Sequence, residues 1–281
     1  MNVNNGGNNQ TILGTAVGAG VGYGAYKASN FALNIPRSAV VVASLMTTPQ
    51  YGDEYVKVAN DIIKNKKLPI KIVSPDVLPP ELKLKPKSLY QKFLYKIYNV
   101  KGNYKRSLKA TKEGFNAFFR SANKVICLNK EQLASPVFHE LGHAINFYKN
   151  GFWRKVQKIK SPAKIAPLAL LGTALLTPKK SREAKEKQGI VGKTTTFIKE
   201  NVGKLSMLAM LPVLAEEIKA SQIGNKLAKK HLTGDSLKSV LKTNKTSMFA
   251  YAGFIAITGA AVSIANKVRD KVAALVDKKS K

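Results

Sequence analysis

The sequence predicts an α+β chain that is mainly helical, with a small β-sheet and membrane-associated helices. Three observations point there. Apolar residues recur at helical spacing in several segments of the 281-residue chain. Short runs at Leu68–Val73, Phe115–Phe119 and Lys124–Leu128 read as strands, the last two joined through Arg120–Asn123. Several further segments are uncharged or nearly so, and the longest, Thr246–Ala265, is about the 20 residues that cross a bilayer as a straight helix. Charge narrows the class. Lys and Arg total 47 against 16 Asp and Glu, a formal net charge of +31. Such a surface calls for an anionic partner, with membrane lipid preferred over nucleic acid, because no helix-turn-helix, zinc-finger or aromatic-basic recognition pattern is present. The single cysteine, Cys127, excludes a disulfide framework and a Cys-cluster metal module within the chain. It reads as a small buried hydrophobe.

In chain order, residues 1–37 form a flexible Asn- and Gly-rich lead followed by the uncharged run Thr11–Tyr26. No basic region precedes this run, which argues against a cleaved secretory signal. Gly14, Gly18 and Gly22 fall on one helical face, a stripe that lets helix backbones approach closely in a membrane. The apolar run Ala39–Met46 is too short to span a bilayer. Joining it to the first run means passing Lys27 and Arg37, so the two are read as separate. Residues 38–235 are expected to form the catalytic domain, interrupted by apolar segments 165–177 and 205–215. Within it, Val56, Ala59, Ile62 and Ile63 mark one amphipathic helix, and Leu89, Phe93, Leu94 and Ile97 a second. Ser135 is expected to cap a helix whose first residue is Pro136 and which stops at Asn150-Gly151. Residues 236–281 comprise the span 246–265, flanked by Lys245 and Lys267, and a basic amphipathic tail suited to anionic headgroups.

His139-Glu140-Leu141-Gly142-His143 carries the chemistry. Histidines four apart stand one turn above the other on one helix face, where two imidazoles can bind one zinc ion. Glu140 beside them can take a proton from a zinc-bound water. Two of the chain's three histidines lie here. Tetrahedral zinc then needs one more protein ligand and keeps a position open. The metzincin pattern is excluded, because Asn146 and Lys149 stand where its glycine and third histidine would fall. The candidates are His231, Glu216 and Glu217. Neighbouring helical residues diverge by about 100°, so only one glutamate can face the metal. Glu217 shares its face with Ala220, Ser221, Gly224 and Ala228, small residues that permit tight packing on the histidine helix. Glu216 shares a face with Lys219 and Ile223. Glu217 is therefore preferred, with Glu216 expected to be dispensable. An oxyanion donor is not selected; His231 and Tyr148 are available.

The His-Glu-x-x-His helix, the apolar segments after it and Glu217-Ile218-Lys219-Ala220-Ser221 together resemble the membrane gluzincin zinc metallopeptidases, in particular the HtpX-like and CAAX-prenyl-endopeptidase-like group. That group's third ligand lies in a Glu-x-x-Ala-Asp pattern. Asn116-Ala117-Phe118-Phe119 resembles its edge strand, along which substrate lies. The resemblance, over residues 110–225, implies a zincin-like fold, a zinc cofactor held by His139, His143 and Glu217, and Glu140 as general base. Ser221 departs from the pattern where the family has Asp, which leaves a carboxylate to be supplied elsewhere.

The expected function is a zinc-dependent endopeptidase at a membrane, acting on protein or peptide, with its catalytic part on the Lys-rich cytoplasmic side. The alternative is a non-enzymatic basic membrane scaffold or nucleic-acid-binding protein whose motif is inert. Substrate specificity and oligomeric state are not legible.

Overall fold

The structure, a computed structural model, describes residues 10–46, 51–78, 89, 92 and 100–279. Among the described residues the chain is mostly helical with one three-stranded sheet. In order come α1 (Ile12–Met46), α2 (Gly52–Asn65), β1 (Lys71–Val73), a 3₁₀ turn (Pro75–Val77), α3 (Val100–Lys112), β2 (Phe118–Arg120), β3 (Val125–Cys127), α4 (Val137–Lys149), α5 (Gly151–Leu176), α6 (Arg182–Glu186), α7 (Ile190–Ala209), α8 (Leu211–His231) and α9 (Gly234–Lys279). The amphipathic segment expected at 89–98 lies outside the described residues apart from positions 89 and 92. Contacts divide the chain into two compact units, each assembled from separated stretches.

The unit formed by 38–161 and 212–251 contains the sheet. Strand order is β1-β3-β2, with β1 parallel and β2 antiparallel to β3. The central strand Val125–Cys127 is wholly buried, as its unbroken apolar run requires, and β2 forms an edge. Helix α2 buries Tyr55, Ala59, Ile62 and Ile63, with Asp53 and Glu54 in its first turn and Lys64 in its last, charges that suit the helix dipole. Its Tyr55 ring meets Phe138 of α4 edge-on at 5.8 Å, in a core that includes Ile126, Leu141 and Val240. Cys127 is buried, and burial raises its thiol pKa to about 12.

Two boundaries differ from the sequence expectation. Pro136, not Ser135, occupies the cap position of α4, because the buried Ser135 hydroxyl is hydrogen-bonded to Thr243 Oγ1 at 2.8 Å instead. Asn150 both ends α4 and caps α5, its Oδ1 accepting the Trp153 N–H at 3.2 Å, so Gly151 opens a helix instead of closing one.

The unit formed by 1–37, 162–211 and 252–281 contains helices and no strand among its described residues. The expected break between Thr11–Tyr26 and Ala39–Met46 is absent: one helix, α1, covers both. The glycine stripe on α1 faces α9. A Cβ at Gly18 would stand 2.7 Å from the Arg269 carbonyl, and one at Gly22 would stand 2.9 Å from that of Ala265. Arg269 and Lys199 are buried, yet both have partners. They hydrogen-bond to the Leu175 and Ala174 carbonyls at 2.9 and 3.3 Å, which the end of α5 leaves unpaired, and both pair with Asp270. Among the described residues two helices, α5 and α9, are long and apolar enough to cross a membrane by length and composition. The run Thr246–Ala265 lies inside α9.

In the sheet-bearing unit, α4 and α8 pack through glycine from both sides. A Cβ at Gly142 would stand 2.1 Å from the Ala220 carbonyl oxygen, and one at Gly224 would stand 2.6 Å from that of Phe138. Replacing a helical glycine by alanine gains roughly 1 kcal/mol of helix propensity. Here the neighbour is backbone, which cannot rotate away, so overpacking at about 1–3 kcal/mol outweighs that gain. Gly142→Ala and Gly224→Ala should each lower the melting temperature; an unchanged or raised value would show that the helices can separate freely.

Candidate metal centre

The close packing of α4 on α8 builds the site. His139, Glu140 and His143 project from α4, and all three are buried, as are Glu216 and Glu217 of α8. Three acceptor atoms converge. His139 Nε2 lies 2.9 Å from His143 Nε2, and Glu217 Oε2 lies 3.1 Å from the first and 3.3 Å from the second. Each imidazole is anchored through its other nitrogen. His143 Nδ1 sits 2.8 Å from Glu216 Oε1, and because an ionised carboxylate only accepts, Nδ1 carries the proton. His139 Nδ1 lies 2.9 Å from the Ser221 hydroxyl. When His139 Nδ1 also carries its proton and donates it to Ser221, both Nε2 atoms and Glu217 Oε2 turn lone pairs toward one another. Three converging lone pairs repel unless a positive charge lies among them.

The charges lead to the same conclusion. Three buried carboxylates, Glu140, Glu216 and Glu217, are matched by one ammonium, Lys160 of α5, which bonds Glu216 Oε2 at 2.5 Å and Glu217 Oε1 at 2.6 Å. The two further positive charges that would balance them can come from a divalent cation or, in its absence, from protons on His143 and Glu140. Burial acts first on every group here, and the charges around each decide the outcome. Burial pulls the His143 pKa down, but the Glu217 charge and the hydrogen bonds from both α8 carboxylates raise it to about 10, against the opposing Lys160. Burial pushes Glu216 up, but the bond to His143, its charge and Lys160 hold it at about 2. Glu217 is held well below the usual carboxylate range, its burial overcome by His143 and Lys160. Glu140 goes the other way: burial raises it, only partly offset by the two histidines. Its Oε2 accepts the Phe119 N–H of edge strand β2 at 2.6 Å.

The donor set suits zinc. Two imidazoles and a carboxylate match an open catalytic site, and ligand atoms at about 2.0–2.1 Å from a tetrahedral zinc stand about 3.3 Å apart. The observed separations, 2.9, 3.1 and 3.3 Å, are close to that figure.

Of the residues expected from sequence, His139, His143 and Glu217 meet at one point, and Glu140 lies against them. His231 is exposed at the end of α8 and belongs to no such cluster among the described residues. The Tyr148 hydroxyl is engaged with the Ser121 carbonyl at 3.4 Å. Glu216, expected from sequence to be dispensable, has a surrounding of its own. It is fully buried and also accepts from Gln157 at 2.6 Å, because α4 and α5 both flank α8 and give its second glutamate a partner of its own. Glu216 thus supplies a supporting carboxylate, on His143, while Ser221 supports His139. Lys160, Gln157 and Tyr251, whose hydroxyl hydrogen-bonds to Glu217, were not singled out from sequence. Comparison of the chain with protein-family models, curated proteins and solved structures finds no match.

Removing a ligand and removing its support should differ in size. Glu216→Gln, which weakens the anchor on His143 Nδ1, should lower zinc affinity about 10–100-fold. Glu217→Gln, which removes a donor, should lower it further. Competition titration with a chromophoric chelator measures both; equal affinities in wild type and Glu217→Gln would remove Glu217 from the ligand set.

Proposed function

We propose that the chain is a zinc-dependent endopeptidase at a membrane, with a zincin-like frame related to that of the membrane gluzincins. The observation that carries this is the triangle of His139 Nε2, His143 Nε2 and Glu217 Oε2, with Glu140 on the same helix face. Zinc held there would polarise a peptide carbonyl and lower the pKa of water toward neutrality. The chain's own groups do the rest. Glu140 has one oxygen fixed by the Phe119 N–H, which leaves Oε1 to take a proton from the attacking water and pass it to the leaving amine. Its raised pKa suits both halves of that transfer. Strand β2 is an edge, so an extended peptide can pair along it and bring its scissile carbonyl to the centre.

Membrane association is supported by α5 and α9, whose apolar windows are only 29% and 33% buried where a core helix would be mostly buried. Apolar side chains also stand exposed in the helical unit, among them Ile12, Ile190, Val191 and Phe197. Anionic lipids suit the net charge of +31, and the excess of lysine favours the cytoplasmic side for the catalytic part.

The test is metal content and activity together. Chain purified in detergent without chelator should carry about one zinc, and chelation should abolish cleavage of a fluorogenic peptide mixture. Glu140→Gln should keep the metal and lose activity by roughly 10²–10⁴. A zinc-free chain that binds DNA in a salt-sensitive manner would favour the basic scaffold reading instead.

A further inference from the structure

We infer that Lys160 is a positioning residue that restricts Glu217 to a single donor oxygen and so keeps the metal four-coordinate; this rests on the zinc reading above. A glutamate ligand has two oxygens, and a flexible one can turn both toward a cation. In this chain the two oxygens of Glu217 are divided. Oε2 faces the histidine Nε2 atoms at 3.1 and 3.3 Å, and Oε1 is bound to Lys160 Nζ at 2.6 Å. Lys160 is itself fixed. Its Nζ lies 2.5 Å from Glu216 Oε2, and Glu216 is held by His143 Nδ1 at 2.8 Å and by Gln157 at 2.6 Å. The Lys160 side chain is only 17% exposed, so solvent offers its ammonium little alternative to the two carboxylates.

The consequence is a count of donors. Two histidines and one Glu217 oxygen make three ligands, and a tetrahedral ion keeps its fourth position for the reacting molecule. If Oε1 were released, Glu217 could add a second oxygen beside the molecule in that position, and the ion would become five-coordinate. Lys160 thus acts through Glu217 and touches neither the cation nor the substrate.

Cobalt replaces zinc as a spectroscopic probe, because four-coordinate cobalt(II) absorbs visible light several-fold more strongly than five-coordinate cobalt(II). Full-length wild type loaded with cobalt should show the strong four-coordinate bands. Lys160→Met and Lys160→Gln should show several-fold weaker bands, and Lys160→Arg should restore the wild-type intensity. Bands in Lys160→Met and Lys160→Gln that superimpose on those of wild type would overturn the proposal, and so would weak bands in wild type itself. Zinc-edge X-ray absorption on the wild type needs no substitution. A shell of four nitrogen and oxygen neighbours at about 2.0–2.2 Å supports the role of Lys160, and a shell of five refutes it. A wild type that takes up neither metal would overturn the zinc reading itself, and the role of Lys160 with it.

Discussion

The site depends on how closely α4 and α8 approach. Their contact is reciprocal: Gly142 on α4 receives the Ala220 carbonyl, and Gly224 on α8 receives the Phe138 carbonyl. Gly142 lies beside His143, and Gly224 lies about two turns beyond Glu217. Any larger residue at either place would push the backbones apart, and the triangle formed by His139, His143 and Glu217 would open with them. Gly142 lowers helix propensity within α4, yet the approach it permits could not be made with a side chain present. The helix accepts this because Phe138, Leu141 and Ala144 are buried on the core side.

A second constraint follows from burial. Three carboxylates cannot share a desolvated site with one ammonium unless further positive charge is bound or protons are taken up. Glu140 yields toward the neutral form, and His143 toward the charged one. The networks around Glu216 spread its charge over His143, Gln157 and Lys160, which leaves Glu217 Oε2 as the carboxylate oxygen turned toward both histidine Nε2 atoms. The arrangement is costly for stability alone, since apolar residues would fill the same space without a desolvated charge. That cost makes sense at a site that binds and activates something.

The extent to which the sequence revealed this varies from residue to residue. The two histidines are four apart on one helix, so their convergence is a local property that spacing alone decides. The small-residue face of α8 likewise singles out Glu217, because the face that can approach a neighbour closely is the one without bulk. Glu216 acquires its partners for a tertiary reason. A helical wheel assigns it the side of Lys219 and Ile223 but cannot reveal that α5 will pack there, with Gln157 and Lys160 pointing in. Lys160 is one of 47 cationic residues, and nothing in its neighbourhood of sequence marks it; only burial between two carboxylates does. Tyr251 was hidden by its place in an apolar run that reads as a span. The strands were located but drawn too long, because apolar runs continue past the few residues that actually pair. Among the helices, continuity through Lys27 to Arg37 in α1 was missed because charge was weighed above helical propensity.

The central claim is that the lone pairs of His139, His143 and Glu217 share one zinc ion. Anomalous diffraction from crystals of the zinc-loaded chain, collected on both sides of the zinc edge, examines that point directly. The account predicts a single strong peak within bonding distance of His139 Nε2, His143 Nε2 and Glu217 Oε2. A peak at His231, or a loaded crystal with no peak between α4 and α8, would contradict it.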